Sequence, residues 1–463
     1  MAVAVGASRP RPDARWIALA AAPVAAALGA LAVLSPVAAL GAVLALLFVA
    51  IAFHDLALGV AIYATVMFFE TLPVATTAGL GAAKVGGLVL VLAALRRSGT
   101  PLLLREHPLI AYAATFLAAW ALASSLWAED VPLAATEGSR LALNVALLFV
   151  IFAAVRQARH ARWVVWGYLL GAAASALVGL VQPAEGDADR LAGSVGDPNF
   201  LAAMLVPAIV FAVFAFGWTR RPAERWLLSL LLVVYTIALL GTQSRGGLVA
   251  LGVTLVAGML LGGAFRRHFA VLTAAIAFAG LVYYGAFASA AALERVTNPG
   301  GGAGRADLWS VATEVAGDHP VVGVGAGNFP VVAPQYVTEP LDLREVQLVV
   351  DEPTVAHNTY IGVLAELGVV GLIAFAVVVL AALALARRAT KAFRRASAPE
   401  LELLSRAVLL GLVGMLTAFV FLSGLYENQL WLLLGLAVAL YTIARRRERE
   451  DAPPSSSQAD ASP

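Results

Sequence analysis

Fourteen apolar runs follow one another along the chain, at about 16–34, 36–53, 56–70, 79–95, 109–127, 141–155, 162–182, 199–218, 226–241, 246–263, 268–287, 357–386, 401–424 and 428–444. Most are about 16 to 25 residues long, the length a helix needs to cross a hydrocarbon core of about 30 Å. Composition agrees: only 13% of residues are charged, against roughly 25% in soluble chains, and the mean hydropathy is +0.86. The pattern predicts an all-α polytopic membrane protein of about 12–14 transmembrane helices with one large extracytoplasmic loop. Cysteine is absent, which removes disulfides, thiol nucleophiles and Cys-based metal sites. A net charge of +2 offers nothing to nucleic acid.

Where the charges sit says more than their sum. Arg9, Arg11 and Arg15; Arg96, Arg97 and Arg105; Arg156, Arg159 and Arg162; Arg220, Arg221 and Arg225; Arg266 and Arg267; Arg387, Arg388, Lys391, Arg394, Arg395 and Arg406; and Arg445, Arg446, Arg447 and Arg449 fall on one side of the alternating spans. These are 24 of the 31 basic residues. Seven remain for the other side: Lys84, Arg140, Arg190, Arg245, Arg295, Arg305 and Arg344. Positively charged ends mark the cytoplasm, so both termini are expected there. The run after Arg15 reads as a first membrane helix and not as a cleaved leader, because a second run follows at once. The expected organisation is a cytoplasmic segment 1–15, helices 1–11 over 16–287, an extracytoplasmic loop 288–356, helices 12–14 over 357–444, and a disordered cytoplasmic tail 445–463 rich in Pro, Ser, Ala and Asp. A loop this long is expected to be functional and to fold over the outer mouth of the bundle, with a helix at about 305–317.

The basic residues on the sparse side are the first candidates for chemistry. Arg245 sits in Thr242-Gln243-Ser244-Arg245-Gly246-Gly247, a polar break between two apolar runs. Arg305 begins the loop helix, with Trp309 one turn on. Snorkelling and a cation–π contact to Trp309 are the bland readings. The functional reading is a guanidinium pair for phosphate oxygens, since arginine is always charged and binds them bidentately. His357-Asn358-Thr359-Tyr360 opens the next apolar run. A histidine there has an unperturbed pKa near 6.5 and suits a general base, and the free N–H groups of a helix start favour anions. Glu366 follows nine residues later, on a different helix face. It reads as structural before catalytic. Gly323-Val324-Gly325-Ala326-Gly327 lacks a βαβ context and reads as a tight turn. Asp187 and Asp189, after Glu185, read as a solvated acidic run, and Asp197-Pro198-Asn199 as a helix cap. No zinc-protease, serine-hydrolase or P-loop motif is present.

Taken together, the motifs resemble a family. Asp197-Pro198-Asn199-x-x-Ala202, Ser244-Arg245-Gly246, Gly304-Arg305-x-x-x-Trp309, Gly323-x-Gly325-x-Gly327-x-Phe329, and His357-Asn358-x-Tyr360 with Ala365-Glu366-x-Gly368-x-x-Gly371 occur in the order seen in O-antigen ligases and polysaccharide polymerases. The resemblance covers about residues 195–375. It implies a metal-independent glycosyltransferase of the bacterial inner membrane that needs no cofactor. Its donor would be a glycan on undecaprenyl diphosphate, and its acceptor a glycan or lipid hydroxyl. The family's catalytic residues would fall on His357, Arg245 and Arg305. The motif residues Asn199, Ser244, Trp309, Asn358, Tyr360 and Glu366 make up the candidate substrate-binding set.

Two other readings compete. A protein hydroxyl as acceptor would make the chain an oligosaccharyltransferase. A flippase or small-anion transporter would place its ionisable groups near mid-membrane on broken, paired helices. Here the notable charges gather at the outer face, which favours chemistry at a surface.

Overall fold

The computed structural model describes residues 32–69, 81–97, 103–182, 190–297, 303–337 and 354–450. Among these residues the regular elements are all helical. They are α1 (Pro36–His54), α2 (Leu56–Val66), α3 (Ala82–Leu95), α4 (Pro108–Ala123), α5 (Val131–Ala154), α6 (Ala158–Val181), α7 (Pro198–Trp218), α8 (Pro222–Gly241), α9 (Arg245–Leu261), α10 (Arg266–Val282), α11 (Ala290–Thr297), α12 (Ala303–Asp318), α13 (Thr359–Arg395), α14 (Pro399–Ala418) and α15 (Asn428–Glu450), with a few single turns between them. Ten helices among the described residues are long and apolar enough to cross a membrane, and α2, α3 and α9 are shorter apolar ones. The chain is an all-α, multi-pass membrane protein. Every expected run from residue 36 onward falls on one of these helices. The first, 16–34, lies almost wholly outside the described residues, as do the acidic run 185–189, Arg344 and the tail from 451.

Three of the boundaries that differ from the hydropathy reading bear on the packing. The sixth run was expected from 141, but α5 starts at Val131. Asp130 caps it, accepting from Leu133 N at 2.9 Å. Glu137 and Arg140, which interrupt the apolar pattern, lie 3.8 Å apart on that helix, and Arg140 also reaches Glu427 at 3.9 Å. The third run was expected to reach 70, yet α2 ends at Val66. The turn that follows is held by Gln429 Nε2, which donates to Met67 O at 3.1 Å. The twelfth run continues past 386 to Arg395 as a basic extension.

Burial sorts the helices. Most of α7 and α15 is buried on all sides, as expected of helices that are apolar all round. α7 packs on α14, α8, α9 and α6, and α15 on α13 and α5. In contrast α1 and α10 bury only two residues each and expose Leu40, Leu44, Val271 and Phe278, so they form the rim that meets lipid. Away from this core, α12 carries a small one of its own. Leu308, Val311 and Val315 pack with Val324, Phe329, Ala356 and Ala365, which seats α12 and the turn after it on the start of α13.

That start is broken. Gly368 has φ 66° and ψ −173° inside α13, a region open essentially to glycine alone. The carbonyls freed there bond to the 320–325 segment instead. Val324 N donates to Ala365 O at 3.0 Å and Gly325 N to Glu366 O at 2.8 Å, while Val369 N donates to Pro320 O at 2.9 Å and Val370 N to Val321 O at 3.4 Å. Gly323 (φ 68°) lies directly on the Glu366–Leu367 peptide, where a side chain has no room. The Gly-rich turn therefore completes the backbone of a discontinuous membrane helix, which supplies the partners that buried peptide groups need.

Candidate active site

Four helix starts meet at the end of the bundle that carries α12: those of α7, α9, α12 and α13. At the first, Asp197 caps α7 by accepting from Asn199 N at 2.7 Å and Phe200 N at 2.9 Å. Asn199 then points its own oxygen outward. Its Oδ1 accepts from Arg190 Nη2 at 3.0 Å and from Ser244 Oγ at 2.9 Å. Arg190 Nε also donates to Thr242 O at 2.9 Å. Arg190 and Asn199 thereby tie the start of α7 to the turn that launches α9. Ser244 caps α9, accepting from Gly247 N at 3.2 Å, and Gln243 just before it adopts φ 51°. A buried non-glycine residue in the left-handed region holds strain, which is found at functional sites. The result fixes the place of Arg245, the first residue of α9.

Arg305 enters from the first turn of α12. Burial lowers its pKa from the ordinary arginine value, the charge of Arg245 lowers it further, and Asp197 opposes both. It stays a cation, since no such shift deprotonates arginine in water. The physical content is that two guanidinium groups and one carboxylate share a partly buried space. Trp309, one turn on, packs its ring 6.5 Å from that of Phe421, and Phe421 in turn lies against Gly246. Trp309 Nε1 is buried and has no acceptor among the described residues.

His357 completes the group. Burial pushes its pKa below 6.5, Arg305 adds to the effect, and Asp197 works against it. Its backbone is left-handed, with φ 48°, and its Nδ1 is buried without a hydrogen-bond partner among the described residues. An imidazole on a left-handed backbone, its pKa held down by burial and Arg305 and its Nδ1 unpaired among the described residues, can take a proton from a bound hydroxyl. The residues after it serve as anchors. Asn358 caps α13, accepting from Tyr360 N at 3.0 Å and Ile361 N at 3.1 Å. Thr359 Oγ1 donates to Leu422 O at 2.6 Å and accepts from Gly424 N at 2.8 Å. Tyr360 OH donates to Leu416 O at 2.8 Å. Buried polar groups that are matched in this way hold the end of α13 against α14.

The structure brings His357, Arg245, Arg305 and, through its hydrogen bonds, Asn199 and Ser244 to one place, with Trp309 at its edge. Glu366 is engaged elsewhere. Its Oε2 accepts from Gly327 N at 2.9 Å and from Tyr426 OH at 3.4 Å, so it secures the Gly-rich turn. Asn328 fastens the same turn to α5, accepting from Asp130 N at 2.7 Å. Trp127 Nε1 donates to Gly323 O at 3.1 Å and Trp120 Nε1 to Leu367 O at 2.9 Å. Sequence reasoning passed over Arg190, Asp197 as a charge, Phe421 and these tryptophans. Arg190 carried a usable signal, because it is one of the seven basic residues on the sparse side. Among the described residues no three of His, Asp and Glu gather as a metal site.

Residues 230–376 match the family model described as O-antigen ligase. The match runs from α8 to just past the break in α13, and so takes in Arg245, Arg305, His357 and Glu366 but not Asn199. It supports the O-antigen ligase superfamily, the family that the motifs resemble, and with it a function of the ligase or polymerase type acting on lipid-linked glycans. No curated protein matches the chain.

Proposed function

We propose that the protein is an inner-membrane glycosyltransferase that moves a glycan from undecaprenyl diphosphate to an acceptor hydroxyl on the extracytoplasmic face, as a ligase or polymerase. The observation that carries this reading is the meeting of Arg245 and Arg305 beside a left-handed His357 with an unpartnered Nδ1. Two like charges held in a partly buried space are stabilised by a bound anion between them, and a diphosphate offers oxygens for both forks.

The reaction follows from that arrangement. His357 takes the proton of the acceptor hydroxyl as its oxygen bonds to the anomeric carbon of the donor sugar. The bond from that carbon to the phosphate oxygen breaks, and its electron pair leaves with undecaprenyl diphosphate. Arg245 and Arg305 stabilise the charge that grows on the departing group. Attack opposite the leaving group inverts the anomeric carbon, and the diphosphate bond supplies the driving force without ATP. Acceptors on a lipid core, a second lipid-linked glycan or a protein would meet the same base. A transporter fits less well, because the convergent charges sit at helix starts on one end of the bundle.

The test is glycan transfer in membranes with matched protein levels. Arg245→Lys and Arg305→Lys should both impair transfer, since a point charge does not reproduce bidentate geometry. His357→Gln keeps a hydrogen-bonding group but loses the base, and should leave no more than trace product. Near-normal product from His357→Gln rejects the general-base role, and full activity of both lysine variants rejects the clamp.

A further inference from the structure

The opposite end of the bundle holds a second site. A cavity of about 780 Å³ opens between the 105–110 segment, α13 and α15. Five arginines line it: Arg105, Arg388, Arg445, Arg446 and Arg449. Glu106 is the only acidic residue among the described residues that line it, and it is met by Arg446 Nη2 at 3.3 Å. Close by, Arg156 sits in the field of Arg446 and Glu106, with its Nη1 buried and without an acceptor among the described residues. Cations drawn together with so little counter-charge repel one another unless an anion joins them. Arg388 lies 29 residues along α13 from Thr359, a distance of roughly 40 Å at 1.5 Å per residue. This cavity is therefore distinct from the site at the start of α13.

The walls narrow the kind of anion. Along α13, Ala381, Ala384 and Leu385 precede Arg388 on one helix face, as the spacing of three, four and seven residues requires. Leu109 and Ile110 of α4 form the facing wall, and Leu109 is 66% exposed on the outside of the bundle. The cavity thus grades from an apolar floor open to the lipid side up to a ring of guanidinium groups. A small soluble anion has no use for the floor. A phospholipid has chains for the floor and a phosphate for the ring, and basic pockets between helix ends on the cytoplasmic side hold anionic headgroups.

We propose that this cavity binds the phosphate headgroup of an anionic phospholipid, with its acyl chains lying along Leu109 and Leu385. The proposal does not depend on the glycan-transfer reading, and its test reads lipid binding alone. Purified protein in a nonionic detergent is titrated with phosphatidylglycerol, with phosphatidylethanolamine of the same chains, and with inorganic phosphate, and bound lipid is read by native mass spectrometry. Phosphatidylglycerol should be retained in preference to phosphatidylethanolamine and should survive millimolar inorganic phosphate. Removing two cations, as Arg388→Gln with Arg445→Gln, should weaken phosphatidylglycerol about thirtyfold if each arginine near a charged headgroup contributes roughly equally. The pair Arg220→Gln with Arg225→Gln, exposed arginines outside the cavity, should leave binding unchanged. Equal retention of both lipids by the unaltered protein overturns the proposal without any variant. So does full displacement by inorganic phosphate, which would make this a free-anion site, or unchanged binding in the Arg388/Arg445 variant.

Discussion

Replacing Gly368 by alanine should uncouple the Gly-rich turn from the broken membrane helix. At φ 66° and ψ −173° a side chain costs roughly 1–3 kcal/mol in backbone strain alone. A Cβ there would also run into the Val321 carbonyl and Val322 N, which are backbone atoms and so cannot rotate aside. The 320–325 segment would have to retreat, and the four backbone hydrogen bonds that join it to residues 365–370 would weaken together. At about 0.5–1.5 kcal/mol each, losing half of them brings the whole cost to roughly 2–6 kcal/mol. Gly362 gives the control. It lies on α13 with only the Ala356 methyl near a new Cβ, at 3.7 Å, so alanine there should be neutral or stabilising by up to about 1 kcal/mol. Thermal midpoints of both variants in detergent, read by loss of the monodisperse peak, compare the two directly. The reasoning is refuted if Gly368→Ala melts with the unaltered protein, or if Gly362→Ala falls as far as Gly368→Ala does.

Three further outcomes are expected. Burial and Arg305 hold the His357 pKa below 6.5, and the base works in its neutral form, so transfer is present above that lowered pKa and lost as pH falls through it; an acid limb centred above pH 6.5 in the pH–rate profile would contradict this. Asn199→Ala removes the oxygen shared by Arg190 and Ser244 and should cut transfer about tenfold or more if roughly 1.5–3 kcal/mol of charge-assisted bonding is lost, whereas Asn199→Asp keeps the acceptor and should retain most activity; equal loss in both variants argues against the tie. The charge distribution predicts cytoplasmic termini, so a cysteine at Ser289 in this Cys-free chain should react with an impermeant maleimide on intact cells and one at Ser456 should not, and the reverse pattern would invert the topology.

The helices were legible because hydropathy reports a solvent, and the bilayer is an undemanding one to read: length and apolarity suffice. The reading slipped where polar residues inside a span have partners that a linear scan does not see. Glu137 and Arg140 interrupt the apolar pattern of α5, yet Arg140 lies within reach of both Glu137 and Glu427, a residue nearly three hundred positions away. The break at Gly368 was invisible for a related cause. Gly368-x-x-Gly371 looks like a small-residue packing face, and only the distant Pro320–Gly325 segment reveals that the helix opens there to accept other donors and acceptors.

The same distinction divides the candidate site. Arg245, Arg305 and His357 stand out because each is an ionisable group where the membrane disfavours one, and the motifs that resemble the family single them out from the other charges on the sparse side. Glu366 was picked by the same anomaly and has a different job: Gly327 N and Tyr426 OH take up its carboxylate, which is how an acid in a membrane helix can serve the backbone and not the chemistry. What separates the two cases is whether the polar atoms are already spoken for. Glu366 is matched, while His357 Nδ1 and Trp309 Nε1 are buried without partners among the described residues, close to Arg305. Satisfaction is a property of three-dimensional neighbours, so no spacing in the chain encodes it. An unmatched buried donor or acceptor costs about 1–3 kcal/mol, and the neighbouring starts of α7, α9 and α13 are themselves capped by Asp197, Ser244 and Asn358. The unmet bonding capacity therefore falls where the proposed donor glycan and its diphosphate would supply partners.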